Sequence, residues 1–137
     1  MEKHFELSDT EFEQQFNTCK LNPEIFSHEA HLRLAWINID KYGIEKAEKN
    51  MQLQLRKFVT FVGAKDKYNL TLTIAATKAI YHFWLKSSCN NFKDFILEFP
   101  QLKYNFKDLM AYHYGFDIYS SDIAKKEFLK PDLVPFG

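Results

Sequence analysis

The sequence predicts an all-helical fold, a single-domain bundle of about six to seven helices spanning residues 1–137 with an extended C-terminal tail. Three observations carry this. Apolar residues recur at a period near 3.6, helix caps precede those stretches, and the four glycines and four prolines stand mostly where helices should stop. No stretch offers a pair of alternating segments joined by a hairpin turn.

The first helix begins at Ser8. Ser8-Asp9-Thr10-Glu11 is a capping box, and Phe12, Phe16 and Cys19 then form one stripe to about Lys20. Asn22-Pro23 breaks it. Ser27 caps a second helix to about Tyr42, with Leu32, Ala35, Trp36 and Ile39 as its apolar face and Gly43 as its stop. A third runs from Ile44 to about Val62 on Ala47, Met51, Leu55, Phe58, Val59 and Val62, ended by Gly63. Residues 64–68 are a short polar loop.

The fourth helix spans about Asn69 to Lys86. Leu70-Thr71-Leu72-Thr73-Ile74 alternates like a strand, but the length of the segment and the want of a partner favour helix. Apolar over most of its surface, it is expected at the centre of a bundle. Shorter helices follow: Phe92–Phe99, closed by Pro100; Asn105 to about Tyr114, closed by Gly115; and Asp122 to about Leu129, stopped by Pro131. The apolar residues of the tail, Leu133, Val134 and Phe136, predict that it packs back onto the fold.

Fourteen Phe and seven Tyr supply enough bulk for a packed core. Eighteen basic and eighteen acidic side chains cancel, so no surplus of positive charge points to nucleic acid or an anionic membrane. No apolar run is long enough to span a bilayer, and Met1–Glu6 lacks the apolar stretch of a signal peptide. A soluble, cytoplasmic protein is the expectation. Cys19 and Cys89 have no metal-type spacing and read as small, buried or half-buried thiols.

The candidate site is the segment His28-Glu29-Ala30-His31-Leu32-Arg33. His28 and His31 are three apart, so on a helix they share a face. Such a pair can hold one divalent transition metal, or place an acid and a base on one substrate. The positive end of the helix lowers their proton affinity and favours neutral rings. Two ligands alone fall short of the three or four that zinc or iron requires. The plain alternative is an exposed first-turn His28 and a hydrogen-bonded core His31.

A second polar cluster, Tyr68, Asn69, Thr71 and Thr73, opens the fourth helix. It is either a set of ordinary caps or a wall on which Tyr68, Asn69 and Thr73 orient a ligand. Arg33 can bind a carboxylate or phosphate, or sit in an ion pair. His4 is read as part of a frayed terminus, His82 faces away from Thr73, and His113 either packs or rims a pocket.

Residues 26–36, Phe-Ser-His-Glu-Ala-His-Leu-Arg-Leu-Ala-Trp, carry a resemblance. So do Tyr68-Asn69-Leu70-Thr71-Leu72-Thr73, the run Tyr112-His113-Tyr114 and the tail Pro131-Asp132-Leu133-Val134-Pro135. Together they resemble a family of small uncharacterised bacterial helical proteins. That family pairs a Thr/Ser-His-Glu-Ala-His-Leu helix with a mid-chain Tyr-His-Glu-Thr-Ile-Thr segment and a Pro-Asp-Leu-x-Pro tail. The resemblance implies a pocket with His28, His31 and a mid-segment histidine as metal ligands or acid–base groups. Here Asn69 and Leu70 stand where the family has His and Glu, which leaves a three-histidine centre incomplete. The expected function is a small-molecule pocket lined by His28, His31, Arg33, Tyr68, Asn69 and Thr73, with or without a metal at His28 and His31. The alternative is a non-catalytic binding or regulatory module, or a homo-oligomer using an aromatic face such as Phe92, Phe95 and Phe99.

Overall fold

The computed structural model describes residues 1–136. Among them there are eight α-helices and no strand. The chain parts into two compact units, Met1–Tyr68 and Asn69–Gly137. No described helix is long and apolar enough to cross a membrane.

The first unit holds α1 (Asp9–Asn17), α2 (His28–Tyr42) and α3 (Ile44–Phe61), with short 3-10 turns at Lys3–Glu6, Pro23–Ile25 and Lys65–Lys67. The capping box forms as expected: the Ser8 hydroxyl accepts from Glu11 N at 3.1 Å and Glu11 Oε1 accepts from Ser8 N at 2.9 Å. The Ser8 N–H, and then the Ser8 hydroxyl, hold the Glu11 carboxyl below its usual range. The three helices pack on one another in every pairing. Phe16 stacks on Phe58 with centroids 4.6 Å apart, and Trp36, Ile39, Met51 and Leu55 are buried in the same unit. Each such side chain contributes roughly 1.5–3 kcal/mol when taken out of water.

Helix α2 is buried all round rather than along one stripe. From Leu32 to Ile39 every residue is shielded, including Arg33 and Asn38. Asn38 donates to Leu34 O at 2.9 Å and accepts from Asn50 at 3.0 Å, so its amide is satisfied inside the core. Glu13 receives Lys41 at 2.8 Å and Tyr42 at 2.9 Å, tying α1 to the end of α2. Only Gly43 separates α2 from α3. Its φ of 83° and ψ of 166° lie where residues with a Cβ are strained.

The second unit holds α4 (Leu70–Lys86), α5 (Phe92–Glu98), α6 (Gln101–Tyr104), α7 (Phe106–His113) and α8 (Asp122–Lys126). The strand-like start of α4 is helical because the Asn69 side chain caps it, accepting from Leu72 N at 2.9 Å. The Thr73 and Thr77 hydroxyls then donate back to the carbonyls four residues earlier. Thr71 reaches outward: it donates to Glu127 O at 2.6 Å and accepts from Leu129 N at 3.0 Å, fixing the segment after α8 against α4.

The tail packs back as expected. Leu133 N donates to His113 O at 3.0 Å, Gly115 N to Asp132 Oδ1 at 2.7 Å, and the Tyr114 hydroxyl to Leu129 O at 2.8 Å. Gly137 lies outside the described residues. Phe92 and Phe95, expected on an aromatic docking face, are 2% and 0% exposed and belong to the interior of this unit. Cys19 and Cys89 are free thiols, each half-buried.

Candidate functional site

The α2 segment divides its polar side chains among different partners. Ser27 caps the helix by accepting from Ala30 N at 3.1 Å, and its hydroxyl also donates to Glu2. His28 is exposed. His31 is half-buried and lies over the Phe26 ring with centroids 5.8 Å apart. Its Nε2 is shielded from solvent and has no hydrogen-bond partner among the described residues. Burial, reinforced by the nearby His28, pushes the His31 imidazole down to about 4. The ring is therefore neutral at ordinary pH, through burial rather than the helix end invoked from the sequence.

Glu29 and Arg33 turn to the N-terminal segment instead. His4, expected to fray, is fully buried, and its Nε2 lies 2.7 Å from Glu29 Oε1. The Arg33 guanidinium donates to His4 O at 2.6 Å and Leu7 O at 2.8 Å. It also pairs with Asp9 at 2.9 Å and covers the Phe12 ring at 4.9 Å. A buried arginine so bound pins residues 4–9 against α2.

Glu2, His4 and Glu29 bring donor atoms within 4.8 Å of one another, the metal-type grouping found among the described residues. The hydrogen bonds do not suit a cation there. Arg33 Nη1 lies 3.3 Å from His4 Nδ1, and a guanidinium can only donate, so Nδ1 keeps its lone pair. The proton then sits on Nε2, the nitrogen that faces the carboxylate. A metal would have to displace that proton onto Nδ1, against the arginine. Burial is the main reason the His4 pKa falls below its ordinary value; Glu29 opposes the shift and Arg33 adds to it.

The second predicted cluster is similarly engaged. The Tyr68 ring lies under the Arg56 guanidinium at 4.8 Å. Asn69 uses its oxygen as the α4 cap and donates its amide to Ile118 O at 2.8 Å. Thr73 donates to Asn69 O at 2.7 Å. His28, His31, Arg33 and Tyr68 belong to the first unit, Asn69 and Thr73 to the second.

The second unit contains a cavity of about 320 Å³ in which polar groups and aromatic walls combine. Helix α4 contributes Ala79, His82, Phe83 and Lys86, one face at spacings of three and four. Helix α7 contributes Leu109, Tyr112 and His113, and the tail closes the cavity with Val134, Pro135 and Phe136. His113 Nδ1 lies 2.7 Å from Val134 O. A carbonyl only accepts, so Nδ1 carries the proton and Nε2 is the nitrogen left for other chemistry. Phe136 stacks on the same ring at 4.0 Å. His82 has its pKa lowered by burial, then by the neighbouring Lys86 and His113. Among the described residues, no carboxylate lines this cavity.

A wider hollow of about 620 Å³ runs beside Lys107, Tyr114, Asp117 and Tyr119, and another of about 480 Å³ lies along α3 beside Cys19 and Arg56. Neither gathers imidazoles. The sequence held a signal for the first cavity in the α4 face of His82, Phe83 and Lys86 and in the run Tyr112-His113-Tyr114. What it lacked was the place where the tail docks, which turns that face into a concave site.

Searches against protein-family models, characterised proteins and solved structures give no match for this chain.

Proposed function

We propose that this chain is a binding protein for a small organic molecule, held in the cavity formed by α4, α7 and the C-terminal tail. The observation that carries the reading is the convergence of His82, Lys86 and His113 on one aromatic-walled hollow, with His113 fixed in a single tautomer by Val134 O. Its volume of about 320 Å³ falls at the small end of the range roughly 300–1,000 Å³ used for small molecules. Walls of Phe83, Tyr112 and Phe136 supply affinity through apolar contact, and the nitrogens fix orientation.

The test is a fragment screen read by two-dimensional NMR on the full chain. Ligands of this site shift signals of Ala79, His82, Tyr112 and Phe136 together. If no fragment at millimolar concentration moves those signals, the reading is wrong.

A second reading keeps the ligand at His28 and His31, with or without a transition metal. It is favoured by one observation, the shielded and unpartnered Nε2 of His31. Elemental analysis of tag-free protein, with and without His31→Gln, tests the metal version. Metal content that does not change with the substitution removes it.

A further inference from the structure

We propose that the ligand of the His82–His113 cavity is a small organic monocarboxylate with a flat apolar body, and that its binding draws a proton onto the site. This rests on the preceding reading of the cavity. Its head would lie among Lys86, His82 and His113, and its body among Phe83, Tyr112 and Phe136, all of which line the cavity.

The charge balance favours an anion. One ammonium and two imidazoles face the hollow, and no acidic side chain does. Lys86 Nζ sits 5.8 Å from the Phe83 ring centroid, so a cationic head is already placed beside an aromatic wall. A cationic ligand would meet the like charge of Lys86, with no counter-charge among the described residues.

The helix directions narrow the choice of anion. Lys86 and His113 stand in the last turns of α4 and α7. Helix C-termini carry partial negative charge, which stabilises cations there and opposes concentrated anionic charge. Phosphate recognition commonly draws on helix N-termini or arginine, and this cavity has neither. A singly charged carboxylate meets less opposition than a phosphate dianion.

Proton uptake follows from the same groups. The charged or titratable groups facing His82 are Lys86 on α4 and His113 and Tyr112 on α7, while the tail residues Val134, Pro135 and Phe136 bring none. Burial and the two nitrogen neighbours hold His82 below its ordinary pKa. A bound carboxylate supplies the missing counter-charge and raises it again. His113 lines the same cavity, its ring held by the Nδ1–H bond to Val134 O. Carboxylate binding is thereby coupled to protonation of His82.

Isothermal titration calorimetry of the full chain tests this with phenylacetate, its neutral analogue phenylacetamide, and phenyl phosphate. Titrations are run near about pH 6 and about pH 8, in buffers of different ionisation enthalpy. The expected result is phenylacetate binding roughly tenfold tighter than the amide, the advantage of a charge-assisted hydrogen bond. Its affinity rises toward the lower pH, and its heat depends on the buffer. Lys86→Met, at an exposed position, lowers phenylacetate affinity several-fold and the amide's by a smaller factor. Equal binding of phenylacetate and the amide overturns the inference while the pocket reading stands. Tighter binding of phenyl phosphate than phenylacetate overturns the choice of head group. Binding of none of the three, with His82 and His113 NMR signals unmoved, overturns this inference. The fragment screen then decides the pocket reading separately.

Discussion

His4 Nε2 meets Glu29 Oε1 at 2.7 Å, with both side chains closed off from solvent. Twenty-five positions separate them in the chain, so the contact holds the N-terminal turn onto the start of α2. Removing either partner takes away a buried, charge-assisted contact. His4→Ala is expected to destabilise the protein by about 2–4 kcal/mol, because a buried carboxylate loses a close donor. Glu29→Gln keeps an acceptor and costs less. Arg33→Lys lacks the planar fork that serves His4 O, Leu7 O and Asp9 together, and should cost about 2–3 kcal/mol. Urea denaturation of the three variants checks the order. A His4→Ala protein as stable as the parent would remove the clamp from the account.

His31 makes acid stability a measurement of its burial. Its pKa is about 4 in the folded chain against an ordinary 6.5. Between those values the unfolded chain carries a proton there and the folded chain does not. The stabilisation is complete above the ordinary value and drains away as pH falls through the window to about 4. His31→Gln removes that proton, so its stability should depend less on pH across the window, by at most about 1.4 kcal/mol per pH unit. Parallel slopes for the two proteins would show that His31 is not held neutral.

The alkaline side belongs to Tyr114 and Tyr119. Burial raises each phenol to about 12, with Asp132 and Asp117 adding to the respective shifts. A phenol raised in the folded state contributes stability below its ordinary pKa of 10.0 and loses that contribution as pH climbs to about 12. Near-ultraviolet absorbance should resolve tyrosines that ionise well above the ordinary pKa of 10.0. Tyr114→Phe also breaks the bond to Leu129 O, at about 1 kcal/mol, and should remove one late-titrating group.

Gly43→Ala tests the α2–α3 joint. A Cβ at this position meets nothing within 4 Å, so no clash obscures the backbone effect. The conformation itself is the obstacle, and the substitution is expected to cost about 1–3 kcal/mol. Thermal unfolding checks this; an unchanged midpoint would mean that the joint relaxes to a conformation open to alanine.

The helices were legible because their signals are local. Ser8, Ser27, Asn69 and Ser121 each cap the helix that the periodicity placed after them. The short α6 at Gln101–Tyr104 went unforeseen because four residues cannot display a period. The burial of His4 was illegible for a different reason. A charged six-residue terminus gives no local reason to order, and the order comes from Arg33 and Glu29 far along the chain. The polar faces were visible as spacing, but spacing does not show where a side chain is engaged. Arg33, Asn69 and Thr73 are all satisfied by backbone or close neighbours. His113 was open between packing and rimming a pocket, and it does both, since the ring that stacks on Phe136 also lines the cavity.

The tail's attachment to His113 has a practical consequence for handling the protein. His113 offers its carbonyl to Leu133 and its ring to Val134 and Phe136, so the last described residues form part of the cavity wall. A bulky addition placed close to Phe136 would press on that wall. Protein for ligand work is best prepared with a cleavable tag on a long spacer, and compared with tag-free material before a missing ligand is counted as real.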